Sequence, residues 1–238
     1  MPNPDKKLQK IEAAFFDVDN TILRGSSMFL FGKLAFKRGF FDRSDFWRMA
    51  WQQMRFIARG ETLKSLDQIQ DRALSLIEGH QAEELASLTE EVYANNISPK
   101  LWPETVRLAK EHIDAGREVW LVTATPQEIA EVIAHRLGLT GGLGTVVERK
   151  DGILTGKLVG DALHGKAKRK AVRKLAKERN ISLKRSFAYS DSVNDLPMLT
   201  SVGNPVAVNP DVALNHYAKA ADWPILKFKK RELRANKR

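Results

Sequence analysis

The apolar and polar positions fall into three textures along the chain. Residues 11–16, Ile-Glu-Ala-Ala-Phe-Phe, are an apolar run that stops at Asp17, which predicts a central strand over roughly 12–16, buried on both faces. From 27 to 100 the period is helical. Ser26 or Ser27 offers a cap for the segment that follows, and Phe46, Met49, Ala50, Met54 and Ile57 recur near helical spacing before Gly60. Residues 65–79 and 81–96 read as two further amphipathic helices, and no strand is expected in this stretch. After Pro99 strands and helices alternate. A helix over 103–116 is opened by Pro103 and closed by Gly116, and a buried strand over 118–124 leads into a helix over 126–139. Residues 145–160 suggest short strands with a hairpin turned by Asp151-Gly152. A helix over 165–181, a strand over 185–191 ending at an aspartate, a short helix over 195–203 and a final strand over 204–210 complete the pattern.

This order predicts an α/β fold: a Rossmann-like, three-layer core with a parallel sheet between helices, and an all-helical cap inserted after the first strand. The expected division is a core over 1–25 and 99–226, a cap over 26–98 and a basic tail over 227–238. Aromatic runs at 29–36 and 46–51 suit either the cap's own core or an apolar surface facing a ligand.

In an open parallel sheet, ligands bind beyond the carboxyl ends of the strands. Here the first strand ends in Asp17 and Asp19, the second in Thr123, and a later one in Ser190, Asp191, Asn194 and Asp195, with Lys166, Lys168 and Lys170 opening a helix between the last two. Carboxylates converging on one edge repel unless a cation lies among them, and oxygen ligands without His or Cys favour Mg²⁺. A divalent cation, a lysine and a threonine hydroxyl suit a phosphate dianion, leaving one carboxylate to attack phosphorus and another to move a proton. Two positions apart at a strand end, Asp17 and Asp19 are expected to project to the same side. Taken singly, Asp191 could instead cap the following helix, Asp19 could close an Asx-turn, and Thr123 could be a satisfied strand hydroxyl.

The segments Asp-Val-Asp-Asn-Thr at 17–21, Val-Trp-Leu-Val-Thr-Ala at 119–124 and Ser-Asp-Ser-Val-Asn-Asp at 190–195 resemble motifs of the haloacid dehalogenase superfamily of phosphatases, in its phosphoserine-phosphatase-like branch. The resemblance covers about 12–215. It implies a phosphomonoester hydrolase with Asp17 as nucleophile, Asp19 as general acid and then base, and Thr123 bonded to the phosphoryl oxygens. It further implies Mg²⁺ held by Asp17, the Asp19 carbonyl and Asp191, with Asp195 behind them and Asn194 and Ala124 near the phosphate. The lysine of the family matches Lys168, with Lys166 as the alternative. A phosphoserine phosphatase would carry a glutamate nine residues after the nucleophile, where this chain has Ser26; Arg55 and Arg59 remain candidates for a second anionic group of the substrate. A small organic phosphate is therefore the expected substrate class. Phosphoserine itself, a phosphotransferase using the same site, and a membrane- or RNA-binding protein with a vestigial site are the alternatives.

The chain has no cysteine, which excludes disulfides, thiolate metal sites and cysteine nucleophiles. Its start lacks the apolar core of a signal peptide, and no run reaches a membrane-spanning length, so a cytoplasmic location is expected. The net charge is +10, and the last twelve residues hold seven basic residues and one acidic, so the excess is expected to be mainly a tail effect. Such a tail is either a solvated terminus or a contact for anionic membrane or nucleic acid. The oligomeric state is left open.

Overall fold

The computed structural model describes residues 10–39, 74 and 77–228. Elements are numbered along those residues. The first strand, β1 (Ala13–Phe16), matches the expected run. Its alternation divides the core: Ala14 and Phe16 join the apolar cluster on one face of the sheet, and Ala13 and Phe15 join the cluster on the other. The remaining strands of the sheet are β2 (Glu118–Pro126), β3 (Gly141–Thr145), β6 (Phe187–Ser190), β7 (Asn204–Val208) and β8 (Ile225–Leu226). Their order is β3-β2-β1-β6-β7-β8, and every neighbouring pair is parallel. The chain builds outward from β1 through β2 and β3, then returns to β1's other side as β6. The gap between β1 and β6 is thus the switch point at which a parallel sheet opens a crevice for ligands.

Helices cover both faces, as expected. One cluster includes residues of α3 (Pro103–Asp114) and α4 (Gln127–Arg136) and runs on through Leu30 and Phe31 of α1 (Ser27–Lys37), Leu74 and Ile77, and Leu85, Leu88 and Val92 of α2 (Ala82–Val92). The described part of the expected cap is therefore helical and shares its core with one side of the sheet. The helices expected over 44–60 and most of 65–79, with Arg55 and Arg59, lie outside the described residues. On the other face, α5 (Lys166–Glu178), α6 (Leu196–Leu199) and α7 (Val212–Ala220) bury Val172, Met198 and Leu214 against the sheet. The hairpin β4 (Val147–Lys150) and β5 (Ile153–Leu158) turns at Asp151-Gly152, both at positive φ, as the sequence predicts.

Several expectations are corrected. The second strand does not stop at 124 but continues to Pro126, with a register break against β3 between Val122 and Pro126. Strand β3 was not anticipated. It is Gly-Gly-Leu-Gly-Thr, without an apolar run, because α4 lies directly on its backbone: a Cβ on Gly142 would come within 2.6 Å of the Ala130 carbonyl. The Gln127 side chain completes that contact, donating to the Gly142 carbonyl at 2.8 Å and accepting from the Gly144 amide at 2.6 Å. The strand over 204–210 is not the last element, since α7 and β8 follow it. Ser26, rather than Ser27, caps α1, accepting from the Phe29 amide at 3.3 Å. The tail is not the sole basic stretch. Ten basic residues and one acidic lie between 166 and 185, and Lys166, Lys170, Arg173, Lys174 and Lys177 are exposed along α5. Tail residues 229–238 lie outside the described residues.

Among the described residues no helix is long and apolar enough to cross a membrane.

Candidate active site

The chain leaves β1 at Asp17, whose amide still donates to the Tyr189 carbonyl of β6 at 2.9 Å, so its backbone is held in the ladder. The residue is 6% exposed. One carboxylate oxygen, Oδ1, accepts from Lys168 Nζ at 2.6 Å, and Oδ2 accepts from the Thr21 hydroxyl at 3.1 Å. Lys168 is in the first turn of α5, on the buried face it shares with Val172, Leu175 and Ala176, and is 3% exposed. Lys166 is exposed, so Lys168 is the lysine brought to the strand end. Its ammonium also donates to Asp195 Oδ2 at 2.7 Å.

Asp195 closes a 3₁₀ turn over Val193–Asp195 and accepts from the Ser190 hydroxyl at 2.8 Å. Ser190 ends β6, and the parallel register puts it level with Asp17. Its oxygen also accepts from the Ser192 amide at 3.2 Å, so one hydroxyl ties the carboxylate to the loop. That loop does not use Asp191 as a cap. Ser192 caps the turn, accepting from the Asn194 amide, and Asp211 holds the loop from outside. Asp211 accepts from the Val193 amide at 2.9 Å through one oxygen and caps α7 at Leu214 through the other. Its amide donates to the Asp191 carbonyl at 2.7 Å. Asp191 is half-buried, and Asn194 is exposed on the turn.

Asp19 behaves differently from Asp17. It lies beyond the strand, bridged to Leu23, and its Oδ1 accepts from both the amide and the hydroxyl of Ser27, at 2.8 and 2.6 Å. The two aspartates are thus held by different parts of the fold: one is fastened into the core, the other to the start of α1. Thr123 is buried, and its hydroxyl accepts from the Thr125 amide and hydroxyl at 3.3 and 3.2 Å. The strand-satisfied role considered for it is at least partly realised. Ala124 is exposed at the register break.

Charge is in surplus here. Burial pushes the Asp17 carboxyl up to about 7, with the charges of Asp195 and Asp19 adding to it and Lys168 opposing. Burial, then Asp17 and Asp195, push Asp191 up to about 7 as well. Burial opposes the charge on Lys168, yet Asp17 and Asp195 together hold its ammonium above the ordinary lysine range. One ammonium cannot neutralise four carboxylates within electrostatic reach of one another. The donors are all hard oxygens, which fits a hard divalent cation such as Mg²⁺. Among the described residues no three acidic or histidine side chains form a metal cage. The fit therefore rests on the carboxylates of Asp17 and Asp191, the first near enough to push the second up.

Sequence reasoning assigned no role to Thr21 or Ser190, and offered Ser27 only as a possible cap of the helix it begins. The first is the threonine of the 17–21 motif itself, and Ser190 was visible as a polar strand end. Nothing in the sequence pointed to the bond from Ser27 to Asp19, because that contact depends on how the chain returns after a turn.

The sequence model of haloacid dehalogenase-like hydrolases matches residues 14–200, a span that contains Asp17, Asp19, Thr123, Lys168, Asp191 and Asp195. The chain belongs to this family. Phosphoserine phosphatase SerB1 of Mycobacterium tuberculosis is 48% identical over 218 residues, 91% of this chain and 71% of that protein. A histidinol-phosphatase of Neisseria meningitidis is 32% identical over 91% of this chain and 98% of its own length. A crystal structure of a protein of unknown function from Bordetella pertussis superposes with a TM-score of 0.81 at 30% identity, covering 91% of this chain and 98% of that one. Within the haloacid dehalogenase-like hydrolases, this chain is a phosphatase of the phosphoserine-phosphatase-like branch.

Proposed function

We propose that the protein is a Mg²⁺-dependent phosphomonoesterase for a small organic phosphate, working through an aspartyl-phosphate on Asp17. The observation that carries this is the Asp17–Lys168–Asp195 array at the switch point, with Lys168 within 2.7 Å of both carboxylates. An Asp17 oxygen attacks phosphorus, and the bond from phosphorus to the ester oxygen breaks. Asp19 gives its proton to the departing oxygen, then takes one from the water that attacks the aspartyl-phosphate, releasing phosphate and restoring Asp17. Lys168 offsets charge at Asp17 and the phosphoryl group, and Asp195, held by Ser190, fixes its position. The Thr123 hydroxyl, the backbone at Ala124 and Asn194 bind phosphoryl oxygens. Mg²⁺, held by Asp17, Asp191 and the Asp19 carbonyl, would supply neutralising charge to the phosphate.

The proposed division keeps the core at 1–25 and 99–226, the cap at 26–98 and the tail at 227–238. Substrate choice would belong to the cap, including Arg55. Phosphoserine is the second reading, favoured by the name of the 48% identical relative. Against it, Ser26 stands nine residues past Asp17, and its hydroxyl is spent capping α1.

The test is phosphate release, with Mg²⁺ and no added acceptor, from phosphoserine, histidinol phosphate, sugar phosphates and lysophosphatidate, beside Asp17→Asn. Turnover of one compound that the variant loses supports the reading and names the substrate class. Phosphate appearing only with an alcohol acceptor would favour a phosphotransferase. Activity retained by Asp17→Asn would sink the mechanism.

A further inference from the structure

We propose that Ser27 is a positioning residue for proton transfer at Asp19, a role that rests on reading Asp19 as the general acid. Ser27 is fully buried and is the first residue of α1, where the amide has no partner within the helix. Both of its donors go to a single atom, Asp19 Oδ1. An oxygen that accepts two hydrogen bonds does not also carry the acid proton. With both Ser27 donors on Oδ1, Oδ2 is the oxygen left to hand over a proton. When the Oδ2–H bond breaks and the hydrogen passes to the leaving oxygen, the new carboxylate charge is already met at Oδ1 by an amide at a helix N-terminus and by a hydroxyl. No reorganisation is needed at that moment.

The contact is built to be rigid. Residues 18–25 close on themselves: the Asn20 amide donates to the Gly25 carbonyl at 3.2 Å, and the Gly25 amide donates to Asn20 Oδ1 at 3.0 Å. The amides of Ile22 and Leu23 both donate to the Val18 carbonyl, at 3.0 and 2.9 Å. The loop is also pinned to the chain's return from the helical segment. The Arg24 amide donates to the Lys100 carbonyl at 2.9 Å, and the Trp102 amide donates to the Ile22 carbonyl at 2.8 Å. Ser27 is thus set by backbone bonds on both sides of the junction between α1 and the sheet. A carboxylate held by one oxygen on such a frame has its other oxygen aimed.

A merely structural serine would not care which ester is cleaved; a positioning serine would. The experiment compares kcat/KM, which covers steps through departure of the leaving group, for p-nitrophenyl phosphate and benzyl phosphate. p-Nitrophenolate departs without a proton, whereas benzyl alcohol requires one. Asp19→Asn is expected to lose at least about a hundredfold on benzyl phosphate and far less on the nitrophenyl ester. Ser27→Ala is expected to lose roughly tenfold on benzyl phosphate and less than about twofold on the nitrophenyl ester, with Ser27→Thr restoring the difference. Retained nitrophenyl activity also reports that the variants fold. Should Ser27→Ala lose equally on both esters, or on neither, while Asp19→Asn discriminates between them, Ser27 has no positioning role. If Asp19→Asn itself fails to discriminate, the reading of Asp19 as the acid falls, and the Ser27 proposal with it.

Discussion

The core side and the cap side of this site hold their aspartates by opposite means. On the core side, Asp17 is locked between Lys168 and Thr21, and Lys168 is locked in turn by Asp195, which Ser190 holds. That network is buried, charged and joined to the sheet, so its groups meet a substrate already fixed. On the cap side, Asp19 hangs from two donors of one serine at the start of α1. A nucleophile must be in line with phosphorus and is best set by the most rigid element available. A proton carrier must serve two steps and is best held by one oxygen with the other open. The difference between adjacent carboxylates thus follows from which part of the fold each is tied to.

The sharpest way to break the comparison is Asp17→Asn. Activity should fall by at least about a thousandfold, measured as phosphate release. Stability should hold or rise, because burial already pushes this carboxyl up to about 7. A melting curve near pH 8 that fell sharply would show the charge to be stabilising. Lys168→Met should do the reverse for the fold. It strands two buried carboxylates, so urea unfolding should show a loss of about 3–5 kcal/mol, alongside roughly a hundredfold lower activity.

Metal and pH sharpen the picture further. Asp17 and Asp191 sit at about 7 in the folded chain against an ordinary 3.8. The folded chain therefore binds the extra protons, and without metal these groups make stability fall as pH rises from about 4 to about 7. His112, bonded to the Tyr189 hydroxyl at 2.8 Å and pushed down to about 4 by burial, acts the other way between about 4 and 6.5. Mg²⁺ competes with the carboxyl protons and not with His112. The rise in melting temperature on adding Mg²⁺ should thus be clearly larger near about pH 8 than near about pH 5. An equal rise at both would argue against these ligands. Ser190→Ala should have the smallest effect, about 1–2 kcal/mol in stability and a few-fold in activity, since Asp195 keeps its lysine.

The elements that a strand-and-helix pattern reveals were those in which burial and sequence agree. β1 and β6 are short apolar runs ending at carboxylates, and Lys168 was preferred to Lys166 on the spacing of the resembling family; the structure places it on the buried face of its helix with Val172 and Leu175. What escaped was structure made by contact rather than by composition. Strand β3 is glycine because a helix rests on it, and α7 buries only Leu214 and Ala218 along nine residues, too faint a stripe to read. Thr21 stood inside a recognised motif without a role, since its bond to Asp17 is made only by the way the chain turns after β1. Ser27 was beyond reach, because a closed turn decides what it meets.

The central claim is that Asp17 takes the phosphoryl group. The most direct measurement is peptide mass analysis of protein quenched in acid during turnover of the best substrate with Mg²⁺. The account predicts that the peptide containing Asp17 gains the mass of one phosphoryl group, that water later discharges it, and that Asp17→Asn never gains it. Steady turnover with no phosphorylated Asp17 peptide at any quench time, or phosphorylation of another residue, would contradict it.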